Sequence, residues 1–101
     1  NTQFKIAEMH TKLEVARAYV DRCLELHLKK ELDIPTAAAG KYYITDLQCE
    51  VIDECLQLHG GYGYMWEYPI ARMFADSRVQ RIYGGTNEIM KGIVAKAVLA
   101  D

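Results

Sequence analysis

The chain is short of the features that most quickly narrow a function. It has no run of about 18 or more apolar residues, which leaves no candidate for a membrane-crossing helix. It has no surplus of basic charge: 12 Lys and Arg against 14 Asp and Glu give a formal net charge of -2. Nucleic acid is therefore excluded as a partner. Its three cysteines, Cys23, Cys49 and Cys55, are odd in number, form no C-x-x-C and each fall within a helical pattern. That argues for reduced core thiols in a cytosol-like compartment, and against a disulfide framework or a metal site. His10, His27 and His59 have no E-x-x-H or H-E-x-x-H companions, so they are expected to be satisfied or surface histidines and no metal ligand is assigned. The opening, Asn1-Thr2-Gln3-Phe4-Lys5, has neither the basic nor the apolar region of a signal peptide. It reads as the middle of a domain, so a piece of a longer chain is expected.

What is present is helical periodicity. From Phe4 to about Glu31, apolar or small residues recur at Ile6, Met9, Leu13, Ala16, Val20, Cys23 and His27, the three-and-four spacing of a bundle seam. This predicts a first helix of about eight turns. Leu32-Asp33-Ile34-Pro35-Thr36 breaks it, with Asp33 or Thr36 as the next cap. A second helix is expected from about Thr36 to Leu58. It carries two apolar rows, Tyr42, Thr45, Cys49, Ile52, Leu56, His59 and Ile44, Leu47, Val51, Cys55, Leu58, so it should be the most central. It should end at Gly60 or Gly61. An aromatic loop over Tyr62 to Tyr68 follows, expected as a packed loop or interface. Pro69 then opens a short third helix to about Ser77. After a connection from Asp76 to Gly85, Thr86 caps a last helix bearing Ile89, Ile93, Ala97 and Met90, Val94, Val98. Arg72, Arg78 and Arg81 are expected to be solvated, with Arg78 able to pair with Asp76 or with a neighbour's carboxylate.

The expected architecture is one all-α domain over 1–101, an up-down helical bundle of three long helices and a short one, about two-thirds helical. Three helices with such broad apolar faces close a core poorly. A further long helix is therefore expected upstream, its absence leaving a groove through which the segment alone oligomerises or folds only marginally.

Glycine supplies the remaining signal. Gly60, Gly61 and Gly63 fall within four positions, where a helix interior would lose about 1 kcal/mol for each relative to Ala. Gly84 and Gly85 immediately precede the Thr86 cap. Both places bare backbone at a helix end, and N–H groups there suit an anion.

These stretches carry a resemblance. Gln57-x-x-Gly60-Gly61-x-Gly63, then Glu67-Tyr68-Pro69, then Asp76-x-Arg78, then Ile82-Tyr83-x-Gly85-Thr86-x-Glu88-Ile89, with the opening Phe4-Lys5-Ile6-Ala7-Glu8-Met9, resemble the C-terminal domain of the acyl-CoA dehydrogenase family. The likeness spans essentially the whole chain. It implies that Gln57, Leu58, His59, Gly60 and Gly61 contact the ADP half of FAD across a subunit interface. It implies that Thr86, Asn87 and Glu88 also bind FAD, and that Tyr83, Gly84 and Gly85 form a wall of the acyl-CoA site.

The resemblance further implies oxidation of acyl-CoA to trans-2-enoyl-CoA, electron transfer to an electron-transfer flavoprotein, and a homotetramer in the bacterial cytoplasm or the mitochondrial matrix. Many members carry Glu where Gly84 stands, as the base that removes the α-proton. Glycine cannot take a proton. The likeness is therefore to members, including long-chain and isovaleryl enzymes, whose base lies on an upstream helix, and the segment alone is expected to be inactive. Tyr83 to Met90 and Gly63 to Pro69 look most like the long-chain type. Glu88, in the first turn of a capped helix, is expected to point away from the reacting atoms.

Two rivals from other classes remain. A non-catalytic oligomerisation module derived from the same fold would have no physical need to keep Gln57, Thr86 and the glycines. A ferritin-like or cytokine-like bundle would need inward carboxylates with E-x-x-H spacing, or secretion signals.

Overall fold

The computed structural model describes residues 1–100 and is all-α, with no strand among the described residues. Helix α1 spans Thr2–Leu28, opened by Asn1, whose side-chain oxygen accepts from the Gln3 N–H at 2.9 Å. It stops short of the expected Glu31. Lys29 and Lys30 turn their N–H groups back to the Glu25 and His27 carbonyls, and Lys30 takes a left-handed φ of 59° that ends the helix without a glycine.

Helix α2 covers Ile34–His59, and Asp33 is its cap: the carboxylate accepts from the Thr36 N–H at 2.7 Å. Hydrogen bonds from Thr36 hold the Asp33 carboxyl below its ordinary range. Pro35 lies in the first turn, where its missing N–H costs nothing. Gly60, at φ 64°, ends the helix. Helix α3 spans Pro69–Ser77 and α4 spans Asn87–Leu99. Both connections wind further than expected, as 3-10 turns over Gly60–Tyr64 and Arg78–Arg81, so helix exceeds the expected two-thirds. Short-range bonds such as Met65 N–H to Tyr62 O and Ile82 N–H to Val79 O satisfy backbone that has no other partner.

Helix α2 is the axis, in contact with every other helix. Helix α1 runs antiparallel to it: Lys5 pairs with Glu54, Lys12 with Glu50, and the Tyr19 hydroxyl donates to the Thr36 carbonyl at 2.8 Å. Gly40 lets the Tyr19 ring lie on α2, since a Cβ there would stand 3.1 Å from the ring. On the opposite flank α3 carries the chain back from the Gly60 end, bringing Ser77 to Cys49. Helix α4 continues in the same direction, placing Lys91 over the Tyr42 ring.

The buried apolar set is small: Ala16, Ala38, Leu47, Ile52, Ile70 and Ala71. A radius of gyration of 15.9 Å exceeds the ~13 Å of a compact domain this long, so the bundle is an open layer. The expected α1 seam is correspondingly not buried as a row. Ala16 is enclosed while Ile6, Leu13 and Val20 are exposed, because α1 packs against α2 along one edge only. The three cysteines are unpaired and half-buried, not core.

Candidate functional site

The two glycine bends differ in how they are built. In the first, the Gly60 N–H donates to the Gln57 carbonyl and the chain enters the 3-10 turn. Gly63 is buried against α2, where a Cβ would meet the Leu56 carbonyl oxygen at 2.4 Å and the His59 Cβ at 3.2 Å. Gly61 is different. Its φ is not in the left-handed region and a Cβ on it would meet nothing within 4 Å. Neither conformation nor internal packing asks for glycine there, so the position stays open to something outside the chain. Gln57, Leu58 and His59 are exposed, and His59 Nδ1 lies 2.7 Å from the Cys55 carbonyl, which can only accept, so the ring N–H is spent there. Tyr62 and Tyr68 contact each other at 5.3 Å between ring centroids, whereas Tyr64 and Trp66 stand in solvent. The aromatic loop is thus not packed within the chain.

The second bend is clasped from a distance. Gly84 and Gly85 have φ of 67° and 93°, a geometry side chains resist. Thr86 Oγ1 accepts from the Ile89 N–H at 3.3 Å and the Thr86 carbonyl accepts from the Met90 N–H. The N–H groups of Asn87 and Glu88, ahead of these, have no partner among the described residues. They face the open end of α4. Asn87 is 4% exposed, and its amide donates to the Tyr42 carbonyl (3.2 Å), Thr45 Oγ1 (2.9 Å) and Asp46 Oδ1 (2.8 Å). Its oxygen accepts from Lys41 Nζ at 2.7 Å, and the same amine donates to the Gly85 carbonyl at 2.8 Å. Arg81 Nε completes the group on Asp46 Oδ1 at 2.8 Å.

Tyr83, Gly84, Gly85, Thr86, Asn87 and Glu88 thus come together in one bend, with Tyr83, Gly84 and Glu88 exposed and the Asn87 side chain turned inward. Within one chain this bend does not join the first. Asn87 meets α2 at Tyr42 to Asp46, and Gly60 lies fourteen residues beyond Asp46, about 21 Å along a helix. Lys41, Thr45, Asp46 and Arg81, which clasp this bend from behind, are not picked out by the sequence reading. The one available signal was that Lys41 and Asp46 are the only charges between Pro35 and Gln48 on a helix of apolar rows. Of the arginines flanking the second connection, expected to be solvated, Arg81 instead pairs with Asp46 and Arg72 donates to the Trp66 carbonyl at 3.0 Å.

Residues 1–99 match the family described as acyl-CoA dehydrogenase, C-terminal domain. The chain belongs to the acyl-CoA dehydrogenase family. This acyl-CoA dehydrogenase domain is 56% identical over 99 residues to the mitochondrial long-chain specific acyl-CoA dehydrogenase of Mus musculus, an alignment covering 98% of the chain and 23% of the mouse protein. It superposes on the crystal structure of acyl-CoA dehydrogenase from Geobacillus kaustophilus with a TM-score of 0.94 and 44% identity, over 97% of this chain and 26% of that one. A chain of the structure described as the electron transferring flavoprotein of Acidaminococcus fermentans gives a TM-score of 0.94 at 35% identity, covering 99% and 26%. The acyl-CoA dehydrogenase domain therefore spans about a quarter of the length of these relatives.

Proposed function

We propose that the chain is the C-terminal, FAD-binding and oligomerising part of a longer acyl-CoA dehydrogenase that oxidises acyl-CoA to trans-2-enoyl-CoA. The observation that carries this reading is the open backbone at Gly61, a glycine that nothing inside the chain requires. Membership of the family over residues 1–99 supports it. The residues present fit FAD: the side-chain-free backbone at Gly61 and the N–H groups at the start of α4 leave room and donors for a pyrophosphate, and the exposed Gln57 amide can bond without adding charge.

Bound FAD supplies the hydride acceptor for the substrate's β-hydrogen. The chain's own residues bind and orient. Gln57 to Gly61 and Thr86 to Glu88 hold the cofactor, while Tyr83, Gly84 and Gly85 line the acyl-CoA site. With Gly84 where many relatives place their base, no carboxylate of this segment removes the α-proton, and the segment alone is inactive. The bends lie about 20 Å apart along α2, so both reach one flavin only if different copies supply them. A homotetramer is part of the reading, supported by the solvent-facing Tyr64 and Trp66 beside the first bend. Electrons pass to an electron-transfer flavoprotein, which the likeness to the Acidaminococcus fermentans chain supports. A long acyl chain is the substrate class, from the identity with the mouse protein. A bacterial cytoplasm or a mitochondrial matrix is the setting.

Flavin absorbance of the purified full-length protein tests this. The unaltered protein should carry FAD, and Gly61→Val and Thr86→Ala should each lose much of it. Full flavin content in both variants would remove the assigned contacts and leave an oligomerisation module, which the exposed apolar side of α1 favours.

A further inference from the structure

Lys41 holds a place that flavin and substrate contacts do not explain. It lies on α2, 44 residues before the Gly85 carbonyl it binds. Its ammonium carries three protons and no acceptor, and two go to fixed acceptors on one bend: the Gly85 carbonyl at 2.8 Å and Asn87 Oδ1 at 2.7 Å. Asn87 is itself locked, the two N–H groups of its amide being shared among three acceptors on α2, so the amine is tethered to a rigid point. That leaves the Gly85 carbonyl as the group whose direction Lys41 decides.

The peptide bond turns this grip into an orientation. In a trans peptide the N–H points opposite to the C=O, so a Gly85 carbonyl drawn inward to α2 sends the Thr86 N–H outward. No cis peptide bond is present among the described residues. On its N-terminal side that plane is set by Gly85, at φ 93°, which has no side chain to restrict it, and Gly84 before it, at φ 67°, adds no restraint. Thr86 Oγ1 caps the helix downstream but does not fix the peptide before it.

We propose that Lys41 is a positioning residue for the Gly84–Gly85–Thr86 bend, fixing the Gly85–Thr86 peptide so that its N–H joins that of the exposed Glu88 on the outward, ligand-facing side. This rests on the reading of that bend as facing FAD and acyl-CoA. Lys41 touches neither; it acts through backbone, by removing the alternatives a glycine pair would otherwise adopt before binding.

The test uses the full-length protein stripped of flavin, with FAD titrated back, and amide hydrogen exchange at residues 84–88. Lys41→Met should raise the FAD dissociation constant at least ~10-fold and speed exchange in the bend, while Lys41→Arg, which keeps charge and donors, should recover most of the affinity. Thr45→Val is the control: it removes one bond to Asn87 without touching the Gly85 carbonyl. It should lower thermal stability yet change FAD affinity less than ~3-fold. Should Lys41→Met not fold, Lys41→Gln, whose arm is shorter, carries the same expected loss. Unchanged affinity and exchange in the Lys41 variants would overturn the proposal. So would a Thr45→Val loss as large as that of Lys41→Met, which would mark the role as structural. Failure of the unaltered protein to bind FAD at all would instead sink the flavin reading, and this proposal with it.

Discussion

The two bends share a sequence signature, glycines against a helix end, and differ in what holds them. The Gln57 to Gly63 bend is local: its closing bond spans three residues and Gly63 packs on the turn just before it. The bend at Gly84 to Asn87 is fastened to residues more than forty positions away, through Lys41, Tyr42, Thr45 and Asp46. A local bend forms whenever its helix does. A clasped bend exists only when α2 and α4 are already docked, so its shape reports on tertiary structure.

The largest expected effect breaks the clasp. Asn87→Leu would take from the part-buried Lys41 amine one of its two acceptors and from the Asp46 carboxylate one of its two donors. Denaturant unfolding of the full-length protein should show a loss of about 3 kcal/mol. A loss under ~1 kcal/mol would mean that the network rearranges and that the two bends are alike after all.

A second comparison sharpens the contrast within the first bend. Gly63→Ala drives a Cβ to 2.4 Å from a backbone oxygen that cannot swing aside, and should cost about 2 kcal/mol. Gly61→Ala meets nothing, and should change stability by less than ~0.5 kcal/mol while still weakening FAD binding. Equal stability losses at the two positions would contradict the division of labour drawn between them.

Much of this was legible in the residues. The seam spacing gave α1, Pro35 and Gly60 bounded α2, Pro69 opened α3, and Thr86 was readable as a cap because capping chemistry is local. The end of α1 was not, since a lysine in the left-handed region leaves no signature. The winding of the first connection was hidden by glycines that allow several conformations, and that of the second by its length, four residues being too few to show a period. The polar clasp was hidden for a deeper reason: Lys41 and Asp46 belong to no motif, and only docking of α4 supplies their partners. Burial of the α1 seam was over-read because periodicity reports that a face is apolar, not that a neighbour covers it.

The smallest effect concerns acid. The Asp33 carboxyl is held below its ordinary value of 3.8 by hydrogen bonds from Thr36, so its capping contribution is fully present above that value and fades as pH falls through the lowered one. The stability gap between the protein and Asp33→Ala should accordingly close on acidification. The Asp33 side chain bonds to Thr36 and to neither glycine bend, so Asp33→Ala should leave FAD binding unchanged. A flavin loss tracking Asp33 would couple regions that the structure keeps apart.

The central claim is that two bends about 20 Å apart in one chain meet on one flavin when copies assemble. A crystal structure of the full-length, flavin-loaded protein tests it most directly. The account predicts Gln57 to Gly61 of one copy and Thr86 to Glu88 of another against the same FAD. Bends that share no flavin in the assembled protein would contradict it.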